Sequence, residues 1–330
     1  MGMHLRAGLW RGVLLCLFAS SSCDCGGKDS ADQDGDGGTA EHIAADGGSR
    51  DGSLGADGSM QSAECRPGAQ TCSGTAATFC TEDGKLIDYE CDPDQGLTCS
   101  PTGCRGACDL SAVHDSYIGC DYYPTVTLNP VWSGFTFAIA VSNTTGQSAH
   151  VKITRGAAVV QEADVAANQL KTFELPWVPE LKGGDISCTV PPARGGSIAV
   201  AGGAYRVRTT QPVTVYQFSP LQYQIEPAPP LCPTVKGQCA DSQVEQCFSY
   251  SNDASLLLPA TALTGNYTVL SWPSQSDGSG FIAVTATQDH TQVQVIGSGD
   301  FAAGAGVSAS GNGTVTLDRG GVLELVAGAT

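Results

Sequence analysis

From residue 120 onward, apolar and polar side chains alternate with a period of two. The pattern is densest in "FTFAIAVSN" (135–143), "AHVKITR" (149–155), "KTFELPW" (171–177), "SIAVAGGAYRVRT" (197–209), "PVTVYQF" (212–218), "NYTVLSW" (266–272), "FIAVTAT" (281–287), "TQVQVIG" (291–297), "GTVTLD" (313–318) and "VLELVAG" (322–328). Alternation of this kind places one face of each segment in a core and the other in water, as antiparallel strands require. Turn formers such as "NTTG" and "TQDH" separate the runs. The predicted class is all-β, with tandem antiparallel β-sandwich-like units; a propeller-like β repeat is the alternative.

Two stretches of the pattern are copies of one another. "FAIAVSNTTGQSAHVKITR" (137–155) aligns with "FIAVTATQDHTQVQVIG" (281–297), each an apolar strand, a polar turn and a Val-alternating strand, predicted to be a β-hairpin. An E-L-containing strand follows each, "TFELP" and then "VLELV". The first copy closes with "AYRVRTTQPVTVYQFSPL" (204–221), and no counterpart follows the second copy before Thr330. This predicts a first β unit over 108–249 and a second over 250–330 that is incomplete, with an unsatisfied sheet edge. Between them lies "SNDASLLLP" (251–259). Asn252 and Asp253 suit an Asx-type turn, Leu256 to Leu258 read as a run buried on both faces, and Pro259 stops it. A ligand role for Asp253 is the alternative to that turn.

The N-terminus changes the picture. "MGMHLRAGLWRGVLLCLFASSSC" carries Arg6 and Arg11, an apolar stretch from Val13 to Ala19 and then small residues, which reads as a signal peptide over 1–22. It is too short for a durable membrane span. "ASSSC" (19–23) resembles a bacterial lipobox, with Cys23 as the lipidated residue and Ser20 where such boxes usually carry Leu. Residues 23–64 contain few apolar side chains and read as a disordered, acidic Gly/Asp-rich tether. Within it, "DQDGDGG" (32–38) imitates the start of an EF-hand loop, but the twelfth position from Asp32 is Ile43, not the bidentate Glu. The formal net charge is −17, and the stretch from Asp24 to Glu64 alone holds ten acidic and two basic residues. Nucleic acid is therefore excluded as a partner.

Export explains the 15 cysteines. Beyond the leader they meet an oxidising compartment and are expected to pair. Cys65, Cys72, Cys80, Cys91, Cys99 and Cys104 fall in a module (65–107) with few apolar residues, where crosslinks replace a core. Six cysteines allow fifteen connectivities, and spacing does not choose among them. With neither a CxxC pair nor a histidine in the module, zinc is not expected. A second even set, Cys108, Cys120, Cys188, Cys232, Cys239 and Cys247, is expected to fasten loops onto the β body, three of them in the Pro-rich excursion "PAPPLCPTVKGQCADSQVEQC".

Catalytic chemistry is not evident. The histidines beyond the tether are His114, His150 and His290, the last two at or beside the predicted turns, and no GxSxG, HExxH or P-loop pattern occurs. No catalytic residue, metal site or cofactor is assigned. Tyr122, Tyr123, Trp132, Trp177, Tyr216 and Trp272 are expected to pack in cores, with a sugar-stacking surface as the alternative.

"YIGCDYYPT" (117–125), "FAIAVSN", "AYRVRTTQPVTVYQFSPL" and "SNDASLLLPATALTGNYTVLSWP" (251–273) together resemble the N-terminal region of the IgGFc-binding-protein family, in its bacterial lipoprotein-like members, over about 108–330. The resemblance supplies no catalytic residues and implies a chain that continues past residue 330. The expected function is that of an exported cell-surface adhesion or interaction module, anchored in an outer leaflet through lipid, with a protein or glycan ligand. The alternative is an extracellular glycan- or peptide-active enzyme whose carboxylates meet only in the fold.

Overall fold

The structure, a computed structural model, describes residues 2–7, 13–16, 65–80, 84, 86–109, 113, 116–185, 196–233, 246–271, 274 and 279–328; at 2–7, 13–16 and 87 it describes the backbone alone. Cys23, the tether, His114, Cys188, Cys239 and Trp272 lie outside the described residues. The described chain is nearly all β, in several antiparallel sheets. Two short strands come first, β1 (Gly2–Ala7) and β2 (Val13–Cys16).

The Cys-rich module holds a three-stranded sheet, β3 (Gln70–Ser73), β4 (Ala76–Cys80) and β5 (Leu86–Glu90), beside a hairpin of β6 (Thr98–Ser100) and β7 (Gly103–Arg105). A two-residue turn joins β3 to β4, and Gly74 there has φ +66°, the left-handed conformation such turns need. Disulfides join Cys65 to Cys80, Cys72 to Cys99 and Cys91 to Cys104. The small core is largely sulfur: Cys91, Cys104, Cys108 and Cys120 are buried with Ala77, Leu97 and Val113. The Sγ atoms of Cys72, Cys91 and Cys104 lie within 4.8 Å of one another, yet each belongs to a disulfide and none is a thiolate that could bind a metal.

The body begins at β8 (Gly119–Tyr122), tied to the module by Cys108–Cys120. Then follow β9 (Phe137–Asn143), β10 (Ala149–Arg155), β11 (Ala158–Val165), β12 (Gln169–Leu175), a one-turn helix α1 (Pro179–Lys182), β13 (Ile198–Val200) and β14 (Tyr205–Phe218). The predicted hairpin of β9 and β10 does not form. β9 pairs with β12 and with the second half of β14, whereas β10 pairs with β11 and with the first half of β14. The polar turn is an arch between two facing sheets, and β14 is the strand both sheets share. Pro212 explains how one strand serves both: it offers no N–H to a ladder, and β14 leaves β10 before it and joins β9 after it. The run 197–209, predicted to be one strand, breaks where Gly202 takes φ +58°, and β11 was not among the predicted strands because much of it is exposed.

Between these sheets lies the main core, including Phe137, Ile139, Val141, Val151, Ile153, Phe173, Leu175, Tyr205, Val207, Val213 and Val215. Burying each such large apolar side chain contributes about 1.5–3 kcal/mol before the entropy of ordering is set against it. Tyr122 and Tyr123 are buried, as core packing requires, and their hydroxyls donate to Val213 O at 2.5 Å and Thr287 O at 3.2 Å. Burial raises the pKa of both phenols, and at Tyr123 the Asp121 carboxylate adds to it.

After a two-stranded ribbon, β15 (Gln224–Ile225) and β16 (Cys247–Phe248), the short β17 (Ala254–Leu256) joins the edge of β14. Only Leu257 of the Leu triplet is buried; Leu256 and Leu258 are 43% and 44% exposed, so the run packs one face, because β17 is an edge strand. The second unit comprises β18 (Asn266–Leu270), β19 (Phe281–Ala286), β20 (Thr291–Gly297), β21 (Phe301–Ala302), β22 (Asn312–Leu317) and β23 (Val322–Ala327). It repeats the pairings of the first: β20 with β22 as β10 with β11, and β19 with β23 as β9 with β12. Here too the predicted hairpin is an arch between sheets. The N-terminal strands complete both sheets, β1 between β18 and β20 and β2 beside β19.

The units share a buried seam. β13 pairs with β23, Thr125 Oγ1 meets Thr285 Oγ1 at 2.8 Å, Ser197 Oγ donates to Ala302 O at 2.7 Å, and the buried Glu324 accepts from Leu128 N–H at 2.9 Å. Hydrogen bonding at each of these polar groups offsets the cost of removing it from water.

Candidate functional site

The segment after β14 leaves the sheets and returns at β17. Its base is pinned to the body. Gln222 exchanges side-chain hydrogen bonds with Thr136, donating to its Oγ1 at 2.9 Å and accepting from its N–H at 2.9 Å, and Leu221 N–H donates to Thr136 O at 2.8 Å. The disulfide Cys232–Cys247 closes the excursion, and both cysteines are buried beside Val131 and Phe135, with Trp132 and Trp177 packed against them. Trp177 Nε1 donates to Phe135 O at 2.7 Å. Under Trp177 lies Lys182, fully buried on α1, its ammonium 5.4 Å from the ring centre and bonded to Val131 O and to Asp185 Oδ1 at 2.7 Å. Burial opposes ionisation of Asp185, but hydrogen bonds from Lys182 and Ser133 hold its pKa below the ordinary value.

On the outer side of this base stand three aromatic rings. Tyr223 and Phe248 have ring centres 5.6 Å apart, and Phe248 and Tyr250 5.9 Å. Tyr223 is 48% exposed and Tyr250 63%. The pairing of Gln224 with Phe248 and the bond from Ser249 N–H to Tyr223 O at 2.9 Å hold the row in register. Tyr250 has φ +58°, a conformation that costs a bulky residue energy and persists only where neighbours impose it. Acidic and polar groups form the rim: Glu226 accepts from Gln224, and the exposed Asp253 accepts from Ser251 Oγ at 2.7 Å. A rigid, partly exposed aromatic centre with a polar rim is the composition of a binding surface. Its faces suit stacking by sugar rings or by cationic side chains, and its rim favours positive charge.

The sequence-predicted aromatics stand elsewhere. Tyr122 and Tyr123 are buried, Trp132 and Trp177 support the base described above, and Tyr216 is 37% exposed beside Leu256 on the β14–β17 edge. Tyr223, Phe248 and Tyr250 were missed because their segment shows no strand alternation; the flanking Cys232 and Cys247 were the available signal.

A second polar concentration is structural. An open cleft of about 240 Å³ is lined by residues including Tyr123, Arg206, Arg208 and Arg319. Arg206 is bidentate to Asp121 at 2.8 and 2.9 Å, and Arg208 reaches Asp92 at 3.1 Å and Asp94 at 2.5 Å, with Lys152 on Asp94 at 3.0 Å. Burial disfavours the charge on Arg206, but Asp121 outweighs it and raises the guanidinium pKa. The pairs of Asp92 and Asp94 with Arg208 and Lys152 fasten the Cys-rich module to the first unit, while Arg208 Nε is buried without a hydrogen-bond partner. His150 bridges Glu162 and Asp164 on the adjacent strand, both at 2.8 Å, and His290 occupies an exposed turn against Asp318 at 3.3 Å.

Residues 253–330 match the family model described as IgGFc binding protein. That match begins at Asp253 and covers the second unit, so the family described as binding coincides with the later part of the chain. Comparison with curated proteins and with solved structures returned no match.

Proposed function

We propose that this chain is an exported, extracellular interaction module that binds a protein ligand through the aromatic surface of Tyr223, Phe248 and Tyr250. The observation that carries the binding reading is the match of residues 253–330 to a family described as IgGFc binding protein; the aromatic row precedes those residues, and its assignment rests on its own exposure and polar rim. Five disulfides among the described residues support an oxidising compartment. Among the described residues no helix is long and apolar enough to cross a membrane. Attachment is assigned to a lipid on Cys23 in a bacterial envelope, with 23–64 as the tether. Its readout is incorporation of a palmitate analogue, lost in Cys23→Ala.

The binding test uses the exported protein immobilised on a sensor, with the Fc fragment of immunoglobulin G as the first probe and extracellular proteins of basic surface as the next. Saturable binding that falls by a factor of about ten or more in Tyr223→Ala/Tyr250→Ala, without loss of the folded state, is the expected result. Binding unchanged by that pair of substitutions removes the aromatic surface from the site.

A further inference from the structure

The ion pairs that fasten the Cys-rich module leave positive charge over in the cleft beside them. Arg206 and Arg208 stand two residues apart on β14, alternating with the buried Tyr205 and Val207, so both side chains leave the outer face of the sheet. Arg206 meets Asp121 through Nε and Nη2, which leaves Nη1. Arg208 meets Asp92 and Asp94 through Nη1, and its buried Nε has no hydrogen-bond partner. The second unit adds Arg319 from the turn between β22 and β23. The backbone of that turn is fixed: Arg319 N–H donates to Asp289 Oδ1 at 3.0 Å, Gly320 N–H to Ala286 O at 2.8 Å, and Gly320 O accepts from Ala204 N–H at 2.9 Å. The Arg319 guanidinium pairs with no carboxylate among the described residues.

Three guanidinia therefore line one cleft of about 240 Å³, with Tyr123 and Thr154 in its wall and no acidic side chain among the described residues that line it. All three act on the same ring: Arg206, Arg319 and Arg208 oppose the rise that burial and Asp121 cause in the Tyr123 phenol, and the Arg206 guanidinium lies 5.8 Å from the ring centre. Arg206, Arg208, Lys152 and Arg319 face the carboxylates of Asp92, Asp94 and Asp121, so Arg319 is the cation left over. Like charges gathered around one space repel, and an anion seated there relieves them. We propose that the cleft is an oxyanion site, in which Arg319 and the remaining donors of Arg206 and Arg208 hold one carboxylate, sulfate or phosphate group. The guanidinium fork matches the paired oxygens of each of these groups. The volume admits the group alone, since pockets for drug-sized ligands measure about 300–1,000 Å³. Buried donors are nearly always bonded, and an acceptor at Arg208 supplies the partner that its Nε lacks. The site draws on both units and shares no residue with the aromatic row, so it stands or falls apart from the ligand surface proposed above.

The test is modification of arginines by phenylglyoxal in the full chain, read by peptide mass. Sulfate, phosphate, acetate and glucuronate are the probes, each titrated at constant ionic strength against chloride. Arg319 and Arg66 are both exposed, and Arg66 serves as internal control. Saturable protection of Arg319 with Arg66 unaffected is the expected result. Protection by acetate and glucuronate alone assigns a carboxylate ligand, and protection by sulfate and phosphate alone assigns a tetrahedral one. Equal effects on the two arginines, or protection by none of the four probes, overturn the site. Thermal unfolding supplies a second reading, because a ligand that binds the folded state raises the midpoint. Arg319→Gln is expected to weaken the effective probe by about tenfold, the worth of one hydrogen bond to a charged group, whereas Arg66→Gln leaves its affinity unchanged. Equal midpoint rises in the two variants mean a general salt effect and overturn the site. Should Arg319→Gln fail to fold, protection of Arg319 in the unsubstituted chain decides the matter.

Discussion

Tyr250 carries a large aromatic ring on left-handed backbone, and the two facts pull against each other. Glycine adopts that conformation freely, so Tyr250→Gly is expected to raise stability by about 1 kcal/mol in thermal unfolding while weakening ligand binding. A substitution that destabilises the fold would show that the ring's contacts outweigh the backbone cost. At His150 the hydrogen bond to Glu162, then that to Asp164, raise the imidazole pKa above its ordinary 6.5, against a small opposing effect of burial. A folded pKa above the unfolded one stabilises fully below the unfolded value, and the gain is lost as pH rises through the folded value. The stability difference between the protein and His150→Ala should therefore be larger near pH 5 than near pH 9, measured by denaturant unfolding. A pH-independent difference would mean that His150 acts by packing alone.

The arch between β9 and β10 shows what an element needs beyond its own pattern. Asn143 ends β9, is almost fully buried, and donates from Nδ2 to Gln147 O at 2.7 Å, Val165 O at 3.0 Å and Ala166 O at 3.2 Å, while Oδ1 accepts from Thr145 N–H at 3.0 Å. One side chain thus joins the end of a strand, the arch and the end of β11. Asn143→Ala leaves the buried Val165 carbonyl without its amide donor, together with those of the exposed Gln147 and Ala166, and is expected to cost about 2 kcal/mol in chemical unfolding. A loss below about 0.5 kcal/mol would show that water replaces the amide. By sequence the arch resembles a hairpin, because both connections put polar turn formers between strands. The rejection of the hairpin comes from β14, which lies many residues further along the chain and pairs with both strands at once.

Across the whole molecule, covalent and ionic ties perform what apolar burial does within each sandwich. The module of residues 65–107 meets the body through Cys108–Cys120 and through Asp92 and Asp94 on Arg208. Closing a loop of twelve residues stabilises by about 3 kcal/mol in the chain-entropy account. Cys108→Ser/Cys120→Ser should therefore lower the melting temperature and open the module to limited proteolysis while the β body stays folded. Proteolysis that begins instead in the β body would place the weak point elsewhere. The buried seam of Thr125, Thr285, Ser197 and Glu324 ties the two units, and the pairing of β13 with β23 crosses the boundary read from the repeat.

The sequence alone determined the β class, the positions of most strands, the internal copy and the requirement for crosslinks. Each is local or compositional: alternation records which face of a segment is apolar, and a Cys-dense stretch without apolar residues has no other core to build. Tertiary structure alone decided which strands pair, which cysteines bond within the described residues, and which aromatics reach the surface. Backbone donors and acceptors are the same in every strand, and sulfurs are alike, so their partners are chosen by distant contacts. Tyr122 and Tyr223 are likewise one residue type, and only the position of β14 and the Cys232–Cys247 loop puts the first in the core and the second in solvent.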